Sequence, residues 1–153
     1  MTISRVYLVQ HGLAVDKTEN PERPLSKAGI QQTSMMADTL LRAEVPVSSI
    51  FHSGKLRALQ TAVIIANTLG VPDISCADGM SPNDDVTLLA QNLKVNNALY
   101  VGHLPQLDKL VTHLVTGNVN DELIKFKNSG VLCLSKQDKH FLINWYLTTD
   151  TLD

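Results

Sequence analysis

The chain has 153 residues, which we interpret as one domain spanning residues 1–153. Its 13 Lys and Arg residues against 15 Asp and Glu residues give a net charge of −2, which excludes the basic surface that nucleic acids and anionic membranes require. With aromatic residues at only 5% of the chain, we also expect no stacking platform for single-stranded nucleic acid.

The compartment is predicted from apolar runs and cysteines. No run approaches the ~20 apolar residues that a membrane helix needs, and the first residues lack the apolar core of a signal peptide. The two cysteines, Cys76 and Cys133, form no CxxC pair. We expect two buried free thiols, with a single disulfide as the alternative. The sequence therefore predicts a cytoplasmic protein, and we separately expect a monomer.

The first strand is predicted at residues 6–9, a short apolar run that ends before Gly12. A polar loop follows, and Ser26 is a candidate N-cap for the first helix. The side chains expected to face inward from that helix are Ile30, Met36, Ala37, Leu40 and Leu41.

The second strand is predicted at residues 47–52, and Ser53 is expected to cap the helix that follows it. That helix is expected to end at Gly70. Its expected buried face consists of residues at helical spacing, namely Leu56, Leu59, Val63, Ala66 and Leu69.

The remaining elements are a short helix at residues 84–93, a third strand at residues 98–101 and a last helix that ends at Gly117. The tail is predicted to form antiparallel strands at residues 123–126, 131–134 and 141–147. This order indicates an α/β fold, a three-layer sandwich with a mostly parallel mixed sheet. Ligands of such sheets bind in the crevice beyond the carboxyl ends of the strands.

Two histidines, His11 and His103, each follow a predicted buried strand directly. Each has a structural alternative, a half-buried imidazole that bonds a backbone carbonyl. Arg57 lies in the first turn of a helix, where a cation is mildly disfavoured and a bound anion such as phosphate would compensate. Arg23 follows in the loop after His11, and we expect it to reach the same crevice. For both arginines the alternative is a solvated side chain.

Signatures of other chemistries are missing. The sequence has no GxGxxG, GxxxxGK[ST], HExxH or GxSxG motif. Its five histidines pair with no cysteine or glutamate at a zinc-site spacing. We therefore expect neither a metal nor a cofactor.

Three segments in this order carry a resemblance to a known family: LVQHG at residues 8–12, SGKLRALQTA at residues 53–62 and VGHLP at residues 101–105. They resemble the histidine phosphatase superfamily, whose fold is phosphoglycerate-mutase-like. The RPLS run at residues 23–26, together with Gly29 and the short chain, is most similar to SixA-type phosphohistidine phosphatases.

The resemblance implies that His11 is the nucleophile, that Arg57 clamps phosphate and that His103 lies in the same pocket. It also implies phosphate contacts from the neighbouring positions Gln10, Gly12, Arg23 and Leu104. Phosphate would pass to His11 and then to water, without a metal. The expected partner is a protein that carries phosphorylated histidine.

Three departures from the family pattern qualify that expectation. Gln10 replaces the family's arginine, which removes a charge-assisted contact of about 1.5–3 kcal/mol and leaves His11 easier to protonate. Gly54 replaces a proline. Residues 78–85 contain aspartates but no glutamate general acid, and Asp84 and Asp85 fit as helix caps.

The missing acid favours phosphohistidine as substrate, because protonated phosphoimidazole departs as neutral imidazole whereas an alkoxide needs a proton donor. Two alternatives remain at this point. One is a small-molecule phosphomonoesterase of the same superfamily. The other is a catalytically weak member that binds phosphate or a phosphoprotein, which the loss of the motif arginine suggests.

Overall fold

A computed structural model describes residues 4–119 and 122–152, in which six strands form one sheet. The strands are β1 (Arg5–Gln10), β2 (Ser49–His52), β3 (Ile74–Cys76), β4 (Ala98–Gly102), β5 (Val131–Gln137) and β6 (His140–Leu147). The helices are α1 (Lys27–Arg42), α2 (Leu56–Leu69), α3 (Val86–Gln91) and α4 (Gln106–Thr116), followed by a 3-10 turn at Thr149–Thr151.

The sheet order is β3-β2-β4-β1-β5-β6. Strands β3, β2, β4 and β1 are parallel, whereas β5 runs antiparallel to both β1 and β6. Central β1 and β4 are adjacent, with Gln10 opposite Gly102 at their carboxyl ends. This register brings the residues after both strands to one place.

The core lies on both faces of the sheet, because successive side chains of β1 point in opposite directions. Val6 and Leu8 pack with α3 and α4, whereas Tyr7 and Val9 pack with α1 and α2. The predicted α/β sandwich with a mostly parallel mixed sheet is therefore confirmed. No helix within the described residues is long and apolar enough to span a membrane.

The predicted inward faces of the first two helices are partly wrong. In α1 the buried face is Gly29, Thr33, Met36, Ala37 and Leu40. Ile30 and Leu41 each lie one position beyond it and are 46% and 50% exposed. In α2 the buried face is Ala58, Thr61, Ala62, Ile65 and Ala66, so of the predicted stripe only Ala66 is buried. Small side chains let α2 approach its neighbours closely, which leaves the larger leucines on the flanks.

Two further predictions are wrong. Residues 123–126 form no strand, and β5 pairs with β1 and β6. Both cysteines are free, as expected, but only Cys133 is buried. Cys76 is exposed because it ends β3, a short edge strand that the sequence did not predict.

Candidate active site

The imidazole of His11 is held at the carboxyl end of β1 by both of its nitrogens. Nδ1 lies 2.7 Å from the carbonyl oxygen of Gly12, and Nε2 lies 3.4 Å from Nε of Arg57. Since a carbonyl only accepts, Nδ1 carries the proton and Nε2 presents its lone pair. The ring is only 8% exposed. The contacts thus leave the nucleophilic nitrogen of a neutral imidazole facing a guanidinium.

Backbone contacts on three sides fix the position of His11. Its N–H donates to the carbonyl of Gly102 at 3.1 Å, and its carbonyl accepts from Nδ2 of Asn128 at 3.0 Å. The next amide, that of Gly12, donates to Oγ1 of Thr61 at 2.8 Å. A Cβ on Gly12 would lie 2.6 Å from Oγ1 of Thr33, so that only glycine fits there. The turn that orients His11 therefore depends on a residue without a side chain.

Arg57 is the second residue of α2, and its side chain reaches back over the amino end of that helix. The first turn of α2 contains no acidic residue. Among the residues at 4–119 and 122–152, the one ion pair joins Lys127 to Asp150, so no carboxylate neutralises Arg57. The positive end of the helix and an unpaired guanidinium therefore face the same crevice, an arrangement that favours an anion.

His103 follows β4 and lies beside His11, with the two ring centroids 5.0 Å apart. It is 1% exposed, and its Nε2 lies 2.6 Å from Oγ of Ser53. Ser53 was predicted to cap α2, and that prediction is wrong. The N-cap is Lys55, whose ammonium has no acceptor for a capping bond, and Ser53 lies two residues earlier with its hydroxyl bonded to His103.

The electrostatics keep both imidazoles neutral at neutral pH. Burial lowers the pKa of His11 to about 4, opposed by its bond to Gly12 and assisted by the charges of Arg57 and Arg23. Burial also lowers the pKa of His103 to about 3, assisted by His11, Arg57, Lys55 and Arg23. Burial and the two arginines thus keep the proton affinity of His11 low although position 10 is neutral. That Gln10 leaves His11 easier to protonate than an arginine would stays a prediction.

Arg23 lies at the same crevice on the loop between β1 and α1. Its backbone has φ near 50°, and its Nε donates to the carbonyl of Val15 at 3.1 Å. Burial, and next the charge of Arg23, lower the pKa of Arg57. Two guanidiniums therefore act on each other across the crevice, and neither forms an ion pair with a carboxylate among the described residues. The charge of Arg23 also lowers the pKa of the exposed Asp16, after the bonds of Asp16 to Thr18.

Three further residues predicted to contact phosphate, Gln10, Leu104 and Gly12, have other partners or surroundings than His11 and the arginines. Gln10 has a buried Oε1 that bonds no described residue, and it lines a polar cavity of about 350 Å³ with Gln32 and Asn128. The side chain of Leu104 packs against the core, which leaves its backbone amide as the group for an anion. The amide of Gly12 is already bonded to Thr61. Phosphate binding by these residues stays a prediction.

The aspartates before β4 have local partners. Asp85 is the N-cap of α3 and accepts from the amide of Thr87, so its predicted capping role is confirmed. Asp84 accepts from the amide of Ser81 in the preceding turn rather than capping a helix. Within the described residues, no group of three or more His, Cys, Asp and Glu side chains is arranged to hold a metal ion.

Sequence reasoning missed three residues that shape the site. Ser53 was interpreted only as a cap, Thr61 only as part of a motif, and Asn128 lies in a tail interpreted as strands and turns. Thr61 had a local signal, since it lies four residues after Arg57 on one helix face and its hydroxyl donates to that residue's carbonyl. No local sequence pattern could indicate the contact of Asn128 with His11, because the two residues are 117 positions apart.

Comparison with known proteins points to the same part of the chain as the geometry of the site. The family model described as histidine phosphatase superfamily (branch 1) matches residues 6–80, which include His11, Arg23 and Arg57. The match assigns residues 6–80 to the histidine phosphatase superfamily. It is 29% identical over 121 residues to the phosphohistidine phosphatase SixA of Escherichia coli, an alignment covering 74% of this chain and 75% of that protein.

Further relatives extend the likeness over most of the chain. An uncharacterised protein of Picosynechococcus is 28% identical over 138 residues, which cover 84% of this chain and 83% of the other. The solved structure of the protein histidine phosphatase SixA complexed with tungstate has a TM-score of 0.86 at 24% identity and covers 97% of this chain and 99% of its own. Phosphoserine phosphatase of Entamoeba histolytica in complex with phosphoserine has a TM-score of 0.70 at 16% identity, covering 96% and 98%. The chain thus has the phosphoglycerate-mutase-like fold.

Proposed function

We propose that this protein is a metal-independent phosphatase that removes phosphate from phosphohistidine on a partner protein. The observation that carries the proposal is the state of His11. Its Nδ1 is bonded to Gly12, its Nε2 carries a lone pair, and its pKa of about 4 keeps it neutral. A neutral buried imidazole beside an unneutralised guanidinium is suited to attack phosphorus.

In the proposed reaction the phosphoryl group lies between His11 and Arg57. The N–H groups of Arg57 leave Nε2 of His11 and turn to the phosphoryl oxygens, with Arg23 and the amide of Leu104 adding to the clamp. Nε2 then forms a bond to phosphorus as the bond from phosphorus to the substrate's imidazole breaks. Water next attacks the phosphorus of phospho-His11 and restores the free histidine.

The choice of phosphohistidine over a phosphate ester follows from the local bonds of the aspartates that precede β4. Asp85 caps α3 and Asp84 bonds a turn amide. An ester leaving group requires a positioned proton donor, a contribution of about 10²–10⁴-fold, whereas protonated phosphoimidazole leaves as neutral imidazole. Similarity to the E. coli phosphohistidine phosphatase supports the same substrate class.

A second candidate function is binding of phosphate or a phosphoprotein with little turnover. The observation that favours it is Gln10, a neutral amide at the position where the family has an arginine, with its Oε1 buried and bonded to no described residue. The first candidate predicts a phosphoenzyme, whereas the second predicts anion binding alone.

The deciding experiment mixes the protein with a histidine domain carrying radiolabelled phosphate and quenches the reaction in alkali. We expect label on the protein that is stable in alkali and labile in acid, and its absence in His11→Ala. His140→Ala, which removes an exposed histidine, is the matched control and should keep the label. Turnover that stops with EDTA, or label that persists in His11→Ala, would contradict the mechanism. Faster turnover of p-nitrophenyl phosphate than of the phosphorylated domain would favour the small-molecule alternative.

A further inference from the structure

The imidazole of His103 has two unequal nitrogens. Nε2 faces the hydroxyl of Ser53 at 2.6 Å, whereas Nδ1 is buried and bonds nothing within the described residues. Because the ring is neutral, it carries one proton, which resides on one of these two atoms. The position of that proton decides whether His103 can donate a hydrogen bond to an anion in the crevice.

The surroundings favour the proton on Nε2. A proton on Nδ1 would be a buried donor without an acceptor, the rarer kind of unsatisfied group in folded proteins. A bare Nδ1 leaves a lone pair instead, which the positive charges of Arg57 and Lys55 near the ring tolerate better. Nε2–H then donates to Ser53, whose oxygen also accepts from the amide of Lys55 at 3.3 Å.

We propose that Ser53 is a positioning residue for His103. In the anion-free protein the Ser53 hydroxyl accepts a hydrogen bond from Nε2–H of His103, and when the anion binds the same N–H donates to a phosphoryl oxygen instead, with its proton staying on Nε2. Ser53 has this place because it follows β2, which neighbours β4 in the sheet. It is held there by the amide of Lys55, immediately before α2. The hydroxyl thereby holds His103 in one tautomer and one ring orientation. The kinetic part of this inference rests on the proposed phosphatase function, whereas the tautomer does not.

The tautomer is measured on the wild-type protein by long-range proton–nitrogen NMR of the imidazoles, with His103→Gln to assign the signals. We expect His103 with its proton on Nε2, exchanging slowly with water, and a shift of that N–H signal when inorganic phosphate is added. A proton on Nδ1 would overturn the proposal. If the proton is on Nε2 but its signal does not shift with phosphate, the Ser53 contact stands. That result would contradict the transfer of the hydrogen bond to an anion.

Kinetics then test what the contact contributes. Ser53→Ala should lower kcat by about 3- to 10-fold, the effect of one neutral hydrogen bond, while KM changes less. Its His103 N–H should exchange rapidly until phosphate is bound, and Ser53→Thr should restore both properties. Ser75→Ala, at an exposed serine on β3, is the matched control. Unchanged kcat and unchanged exchange in Ser53→Ala would overturn the positioning role even if the wild-type enzyme is active.

Discussion

Nε of Arg57 lies 3.4 Å from Nε2 of His11, although the two residues are 46 positions apart in the chain. The contact joins the end of a strand to the first turn of a helix. It fixes the direction of the His11 lone pair and places a positive charge where a phosphoryl group would develop negative charge. The predictions below follow from this pair and its surroundings.

Replacement of Arg57 tests the phosphate clamp. Arg57→Ala should weaken phosphate binding by about 10- to 100-fold, because it removes charge-assisted hydrogen bonds of about 1.5–3 kcal/mol. Isothermal titration with phosphate or vanadate measures the change. Arg42→Ala, which removes an exposed arginine at the end of α1, should bind as the wild type does. Global unfolding of Arg57→Ala in circular dichroism would instead indicate a structural role.

Gln10 is tested by restoring the family's arginine. Gln10→Arg should raise kcat/KM by about 10- to 100-fold, because a guanidinium at the end of β1 adds one charge-assisted contact to the transition state. Gln32→Arg is the matched control, since it adds the same charge to the cavity that Gln10 lines. An unchanged or lower kcat/KM in Gln10→Arg would mean that Gln10 is an adaptation and that Arg23 supplies the missing charge.

Arg23 should contribute less than Arg57. Its Nε is already bonded to the carbonyl of Val15, so its charge acts on the crevice while one of its donors is occupied. We expect Arg23→Ala to raise KM by about 3- to 10-fold with a smaller change in kcat, measured with the phosphorylated histidine domain. Lys17→Ala, an exposed residue of the same loop, serves as the control. A larger effect on kcat than on KM would place Arg23 in the transition-state contacts.

The two buried histidines should make stability depend on pH. Their pKa values in the folded protein, about 4 for His11 and about 3 for His103, are below the ordinary 6.5, so the unfolded chain binds more protons in between. Above about pH 6.5 both histidines are neutral in the folded and the unfolded chain, and the unfolding free energy is not reduced by them. As the pH falls below about 6.5, the unfolded chain takes up protons that the folded protein does not, and the unfolding free energy decreases. Between about pH 7 and pH 4.5 we expect each to cost on the order of 2–3 kcal/mol of unfolding free energy.

Urea unfolding at several pH values measures this dependence. His103→Gln should reduce the slope of stability against pH, whereas His140→Gln, at an exposed position, should retain it. A slope that His103→Gln leaves unchanged would assign the acid sensitivity to other groups.

The sequence alone determined the four main helices, every strand except β3, and the residues that follow the central strands. Short apolar runs between turn residues specify buried strands locally, and the three motifs carry His11, Arg57 and His103 in their order. Adjacency of β1 and β4 then brings the two histidines together. These features depend on residues close together in the chain, which is why a pattern can show them.

Only the tertiary structure decided which face of α2 is buried, because its buried residues include three alanines and a threonine, whose side chains give a weaker apolar pattern than the leucines beside them. The tertiary structure also shows that Ser53 bonds His103 rather than capping α2, and that Asn128 donates to the carbonyl of His11. It also set the low pKa of His11, since burial and the distant Arg57 and Arg23 outweigh the neutral neighbour at position 10. Each of these depends on contacts between residues far apart in sequence, whose distances and shared burial exist only once the sheet and its helices have assembled.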